Sequence, residues 1–274
     1  MGILDYDKME KRAEALRGEY LAASPYPHAV IDDFVDAAVA ESVRREFSEV
    51  GERWKYYHHY NEKKLAITDL DQMPPSVTAL LEEFQSRRFV KLIETLTGLE
   101  DLIADPALEG AGMHMIRRGG FLNIHNDFQT HTKNRTWSRQ VNLILYLNHD
   151  WREEWRGHNE IWNEDVSTCE RRVAPTFNRC VIFNTQAPAY HGHPDPLACP
   201  DHESRKSLAV YYYREEQRAG KLTPTDYRPR PDDSRTKRIL IRADEIALRA
   251  VTYLKGRTGL SDDTLTRILK RFSH

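Results

Sequence analysis

The apolar positions of the chain change period along its length. Up to about residue 110 they fall at helical spacing. Asp36 stands ahead of Val39, Val43 and Phe47 as a helix cap would, where a side-chain oxygen accepts from the first free amides. After Pro74-Pro75, Ser76 precedes Val77, Leu80, Leu81 and Phe84, one stripe of a second helix with Ser76 as its expected cap. The stripe continues through Phe89, Leu92, Ile93 and Leu96, and Gly98 is its expected stop.

From about 111 to 216 the period shortens to two. GAGMHMI, FLNIH, QVNLILYLN, NEIWN, RCVIFNT and SLAVYYY are short, rich in β-branched and aromatic residues, and parted by Gly, Pro and Asp. Val141, Leu143, Leu145 and Leu147 alternate with Asn142, Ile144 and Tyr146, so one face is wholly apolar and the other partly polar. Many short strands at this spacing predict a sandwich, jelly roll or barrel. The stretch LTPTDYRPRPDDSRTKR (222–238) reads as an extended linker or arm, and two helical patterns follow. The last sets Ser261 as a cap before Leu265, Ile268, Leu269 and Phe272, with Arg267, Lys270 and Arg271 opposite, an amphipathic helix expected to pack on the body. Three regions result: a mainly helical support over 1–110, a β core over 111–216 that forms one domain with those helices, and a linker with a helical extension over 217–274.

Charge and cysteine content narrow the function classes. The 274 residues carry 40 basic and 42 acidic side chains, a formal net charge of −2. Binding nucleic acid through bulk electrostatics needs a basic balance, so no nucleic-acid partner is expected. Cys169, Cys180 and Cys199 are odd in number and form no CxxC pair, which fits a reducing cytoplasm better than a disulfide scaffold. The first residues are charged throughout and no apolar run approaches a span of about eighteen, so a cytoplasmic chain without a membrane span is expected.

The stretch NIHNDFQTH (123–131) carries the candidate chemistry. Residues i and i+2 of a strand share a face, so His125 and Asp127 can offer an imidazole and a carboxylate to one ion. Two His and one carboxylate on one face of an octahedron are the ligand set of non-haem Fe(II) oxygenases, which leave positions open for co-substrate and O2. His191 follows the strand-like RCVIFNT, 66 residues after His125, and is the expected third ligand. Arg205 opens the next apolar strand fourteen residues later, with Ser207 on its face. An Arg fork there suits the distal carboxylate of 2-oxoglutarate, and the Ser hydroxyl adds a donor.

In these motifs the chain resembles the prolyl 4-hydroxylase-like branch of the 2-oxoglutarate/Fe(II)-dependent dioxygenases. GGFLNIHNDF, RQVNLILYLNHDW, RCVIFNTQAPAYHGHPDPL and SRKSLAVYYYR carry the likeness, and YPHAVIDDFVDAAVAESVRREF resembles the entry of the same branch. The resemblance implies an α+β fold: a double-stranded β-helix (jelly-roll, cupin-like) core, packed outer helices and a helical C-terminal extension. It implies Fe(II) held by His125, Asp127 and His191, 2-oxoglutarate anchored by Arg205, and Tyr146 bonding the co-substrate carboxylate. O2 is the other co-substrate and ascorbate an auxiliary. The implied reaction is hydroxylation of an unactivated carbon, with succinate and CO2 as co-products. An intact Asp127 favours hydroxylation over halogenation, which in this superfamily uses the slot left by a missing carboxylate. A small-molecule or sugar-type substrate is expected, with a peptidyl proline as the alternative. A non-catalytic metal-binding barrel that docks a partner through its C-terminal helix is the reading from another class. The sequence departs from the branch in WRGHNEIW, where Arg156 replaces the first of two glycines and His158 and Asn159 replace apolar residues.

Other residues compete for roles. His193 is an alternative third ligand. His114 and Arg139 are candidates to face substrate, Arg139 because it opens the QVNLILYLN strand. His131 is expected to stand by, His58-His59 to lie on a half-exposed segment that covers substrate in the alternative reading, and Arg117, Arg118, Lys133 and Arg135 to be solvated.

Overall fold

A computed structural model describes residues 3–47, 51–186 and 188–258. The predicted helix at Ser261 lies outside these residues. The early helices are α1 (Tyr6–Ala22), α2 (Ala37–Arg45), α3 (Pro75–Gln85) and α4 (Arg87–Thr97). Asp36 caps α2, its carboxylate accepting from the amides of Ala38 and Val39. The cap predicted at Ser76 is displaced: Pro74 is the N-cap residue and Pro75 begins α3, where its missing N–H costs nothing. The free amides of Ser76 and Val77 are taken by the Glu46 carboxylate instead. Ser86 ends α3 and caps α4, so the continuous stripe read from the sequence bends there, and Gly98 closes α4 at φ +71°.

Thirteen strands among the described residues form one nearly closed antiparallel sheet. Five belong to the chain before and at the start of the core: β1 (His28–Ile31), β2 (Lys55–His59), β3 (Glu62–Ile67), β4 (Ile103–Ala104) and β5 (Gly112–Arg117). The core continues with β6 (Phe121–Asn126), β7 (Trp137–Tyr146), β8 (Asn159–Trp162), β9 (Cys169–Val173), β10 (Arg179–Asn184), β11 (His191–His193) and β12 (Ser204–Glu215). A short β13 (Asp226–Tyr227) and a long helix α5 (Arg235–Thr258) follow. The order β1-β10-β7-β12-β5-β3-β6-β11-β8-β9 winds the sheet into a jelly roll, with β3 joining its two halves.

The alternation in β7 sorts its side chains as the sequence predicts. Val141, Leu143 and Leu145 face the helices and share one core with Val43, Leu80, Phe84, Phe89 and Ile93. Tyr146 and Ile144 face the barrel interior with Ile161, Val181 and Phe183. The outer core fixes the helices, and the inner face is left for chemistry. No helix among the described residues is long and apolar enough to cross a membrane.

Candidate metal centre

β6 and β11 are neighbours, and His191 stands directly across from His125. Residues opposed in a ladder share a face, so both imidazoles enter the barrel. Their rings lie 4.4 Å apart. Asp127 leaves β6 on the same side, with Oδ1 at 3.6 Å from His125 Nε2 and Oδ2 at 3.7 Å from His191 Nε2. One ligand atom from each of the three falls within 4.8 Å of the others.

Local hydrogen bonds set the chemistry of these groups. Nδ1 of His125 is 2.9 Å from the Asn123 carbonyl, and Nδ1 of His191 is 2.9 Å from the Ala189 carbonyl. A carbonyl can only accept, so each Nδ1 carries the proton and each Nε2 keeps a lone pair for a cation. Burial and the neighbouring His125 hold the His191 pKa down at about 4, so the ring is neutral at neutral pH. Asp127 is ionised: burial alone would raise its pKa, but the Arg139 guanidinium beside it holds it well below the usual carboxylate range. Two imidazoles and one carboxylate suit an open Fe(II) site.

Gly192, between the two histidines of β11, has no room for a side chain. A Cβ there would meet the Asn123 and Leu122 carbonyl oxygens at 2.8 and 2.9 Å. This close approach lets β11 ride over a register shift in β6 while His191 stays opposite His125.

Arg205 enters from β12. Its Nε donates to the Gly157 carbonyl at 2.8 Å and its Nη2 to the Tyr146 hydroxyl at 3.2 Å. It is buried, and among the described residues no carboxylate pairs with it. Burial of the unneutralised charge pulls its pKa below the usual value. A buried guanidinium with only neutral partners is costly unless an anion joins it, which fits the distal carboxylate of 2-oxoglutarate. Ser207 lies across from Tyr146 in the ladder between β12 and β7. The turn that presents the Gly157 carbonyl holds Arg156 at φ +62° and Gly157 at φ +75°. Where the branch has two glycines, an arginine here accepts the left-handed conformation.

The remaining candidates separate by geometry. His193 faces inward from β11, but neither ring nitrogen has a hydrogen-bond partner, and the ligand cluster forms with His191. Arg139 is buried with its guanidinium 3.3 Å from the centre of the Tyr211 ring and its Nη2 3.4 Å from Asp127 Oδ2. It serves the metal-side carboxylate. His114 lines the interior near Lys64, and burial together with that charge lowers its pKa to about 3. His131 is tied elsewhere: Nδ1 accepts from the amides of Lys133 and Asn134, and Nε2 lies 3.3 Å from both Asp105 and Glu109. Arg117, Arg118, Lys133 and Arg135 are exposed.

Residues 111–213 match the family model described as the 2OG-Fe(II) oxygenase superfamily. Residues 111–213 form a 2OG-Fe(II) oxygenase domain. Enzymes of this superfamily use Fe(II), 2-oxoglutarate and O2, and the His125–Asp127–His191 cluster and Arg205 fit that set. Among solved structures, a prolyl-4-hydroxylase from Pseudomonas putida shares the fold with a TM-score of 0.53 and 20% identity, covering 74% of this chain and 99% of that one. A prolyl hydroxylase from Trichoplax adhaerens, in complex with a hypoxia inducible factor peptide, gives 0.54 and 16%, covering 76% of this chain and 91% of that one. A prolyl 4-hydroxylase from Phytophthora capsici gives 0.53 and 19%, covering 78% of this chain and 66% of that one. No curated protein matches the chain.

Four residues around the site escape a reading of spacing. Asn142 donates from its Nδ2 to Asp127 Oδ2 at 2.7 Å. It lies on the polar face of β7, and that polarity is its only signal. Tyr227 reaches the site from the stretch read as a linker: β13 pairs with β6, Tyr227 stands opposite His125, and their rings are 5.6 Å apart. Lys64 and its partner Glu62, 3.0 Å apart, come from β3 in the supporting region.

Proposed function

We propose that this oxygenase hydroxylates an unactivated carbon of a small, polar, sugar-type molecule in the cytoplasm. The observation that carries the activity is the pairing of the His125–Asp127–His191 cluster with a buried Arg205 that has no anionic partner among the described residues. His125, Asp127 and His191 would hold Fe(II). Arg205, Tyr146 and Ser207 would hold 2-oxoglutarate. The bound iron supplies oxidation by O2 coupled to decarboxylation of 2-oxoglutarate. The protein's own share is orientation and exclusion of water. Each imidazole is locked by a carbonyl, and the carboxylate is held by Asn142 and Arg139.

The polar character of the walls supports the substrate class. Tyr57, Lys64, His114 and Tyr211 surround the interior beyond the ligands, with the Lys64 ammonium 5.5 Å from the Tyr57 ring centre. Neutral imidazole, hydroxyl and ammonium groups offer hydrogen bonds, and the aromatic faces suit a sugar ring. The second reading, a peptidyl proline, takes its support from the activity named for the structural neighbours. Succinate formation is the test. The purified chain should convert 2-oxoglutarate to succinate in an iron-dependent way, and Asp127→Ala should abolish it. Turnover retained by Asp127→Ala would sink the proposal. Mass analysis of products from sugar-type molecules against proline-containing peptides separates the two substrate readings.

A further inference from the structure

We propose that α5 and the stretch leading into it form part of the metal centre, and that Asp244 and Asn61 are positioning residues for the ligand His125. This rests on the assignment of His125 as a metal ligand. A continuous polar chain joins them. Asp244 on α5 accepts from Asn61 Nδ2 at 2.6 Å. Asn61, fully buried between β2 and β3, accepts on Oδ1 from Asn123 Nδ2 at 3.0 Å, and its carbonyl accepts from the Asn123 amide at 2.9 Å. The Asn123 carbonyl in turn takes the Nδ1 proton of His125 at 2.9 Å. Asn61 therefore grips both the backbone and the side chain of the residue whose carbonyl orients the imidazole.

The same segment is fastened at six further points. Tyr227 pairs with His125 across the ladder, and the Arg228 amide donates to the Ile124 carbonyl at 2.9 Å. Asp226 accepts from the Tyr190 hydroxyl at 2.5 Å, next to His191. Arg230 pairs with Asp195 at 2.8 Å beyond the end of β11. On α5, Asp244 also meets His59 Nδ1 at 2.8 Å, and the Ile241 carbonyl accepts from Asn61 Nδ2 at 3.2 Å. Both ligand-bearing strands are thus tied to one strap. An extended arm whose only task was to link would have no reason to add a strand beside His125 or to bury Tyr227 and Ile241. The polar groups of the chain would each cost desolvation if left unpaired, so they specify one arrangement of β6, the β2–β3 turn and α5.

The test is anaerobic Fe(II) titration of the full chain, read by calorimetry and, with 2-oxoglutarate added, by the visible charge-transfer band. Asp244→Ala and Asn61→Ala should weaken Fe(II) binding about 10-fold, as loss of groups behind a ligand does, and should shift the band. Asp244→Asn keeps the acceptor and should restore most of the affinity. Ile239→Ala, on the exposed side of α5, should leave Fe(II) affinity unchanged even if it lowers the melting temperature. Wild-type affinity and an unmoved band in both Asp244→Ala and Asn61→Ala would overturn the inference. Absence of Fe(II) binding by the wild type would overturn the ligand assignment beneath it.

Discussion

Asn142 holds the carboxylate of Asp127: its Nδ2 donates to Oδ2 at 2.7 Å, while its own Oδ1 accepts from Arg139 Nε at 2.8 Å. The three residues form a short relay in which Arg139 orients Asn142 and Asn142 orients the Asp127 carboxylate. The arrangement leaves Oδ1 of Asp127 on the His125 side, 3.6 Å from Nε2.

Breaking that relay should weaken metal binding without unfolding the barrel. Asn142→Leu should lower Fe(II) affinity by about 10–100-fold, the usual effect of removing a group that orients a ligand. Anaerobic Fe(II) titration measures it. Affinity equal to wild type would mean that Asp127 needs no support from β7.

Gly192→Ala tests the close approach of β11 to β6. The added Cβ would press on the Asn123 and Leu122 carbonyl oxygens at 2.8 and 2.9 Å. Overpacking of this kind costs about 1–3 kcal/mol. The expected outcome is a lower melting temperature together with weaker Fe(II) binding, because His191 is pushed away from His125. A variant that loses neither would show that the strands can separate freely.

His59 gives a pH dependence. Burial would lower its pKa, but hydrogen bonds to Asp244 and Glu62 outweigh that and raise it from 6.5 to about 9. Glu62 is in turn paired with Lys64. Because the folded-state value lies above the unfolded one, protonation stabilises the fold. The contribution is complete below pH 6.5 and is lost as pH rises through about 9. It is worth on the order of 2 kcal/mol, allowing for the partial exposure of the ring. Melting temperatures of wild type and His59→Gln should therefore differ at pH 6 and converge above about pH 9. A difference that stays constant across this range would refute the ion pair.

The candidate ligands could be picked out in the sequence because metal chemistry restricts such sets so tightly. His125 and Asp127 share a strand face at i and i+2, and His191 and Arg205 each sit where an apolar strand ends or begins. The jelly roll was legible for the same reason: period-two stretches such as β7 leave few alternatives. What spacing could not reveal are groups recruited across long stretches of chain. Tyr227 meets His125 after 102 residues, and its Pro-rich, charged surroundings look like a linker until β6 offers an unpaired edge. Asn61 and Asp244 are ordinary polar residues whose meaning comes only from the contact between them. The displaced cap of α3 has a similar cause, since Glu46 reaches in from the end of α2 to take the amides that Ser76 was expected to serve.

The central claim is that one barrel interior holds Fe(II) on His125, Asp127 and His191 and 2-oxoglutarate on Arg205. Anaerobic addition of Fe(II) and then 2-oxoglutarate to the metal-free chain tests it most directly. The account predicts a visible metal-to-ligand charge-transfer band in the wild type that is lost in Arg205→Ala while Fe(II) still binds. Fe(II) binding without the band in the wild type, or a band that survives Arg205→Ala unchanged, would contradict it.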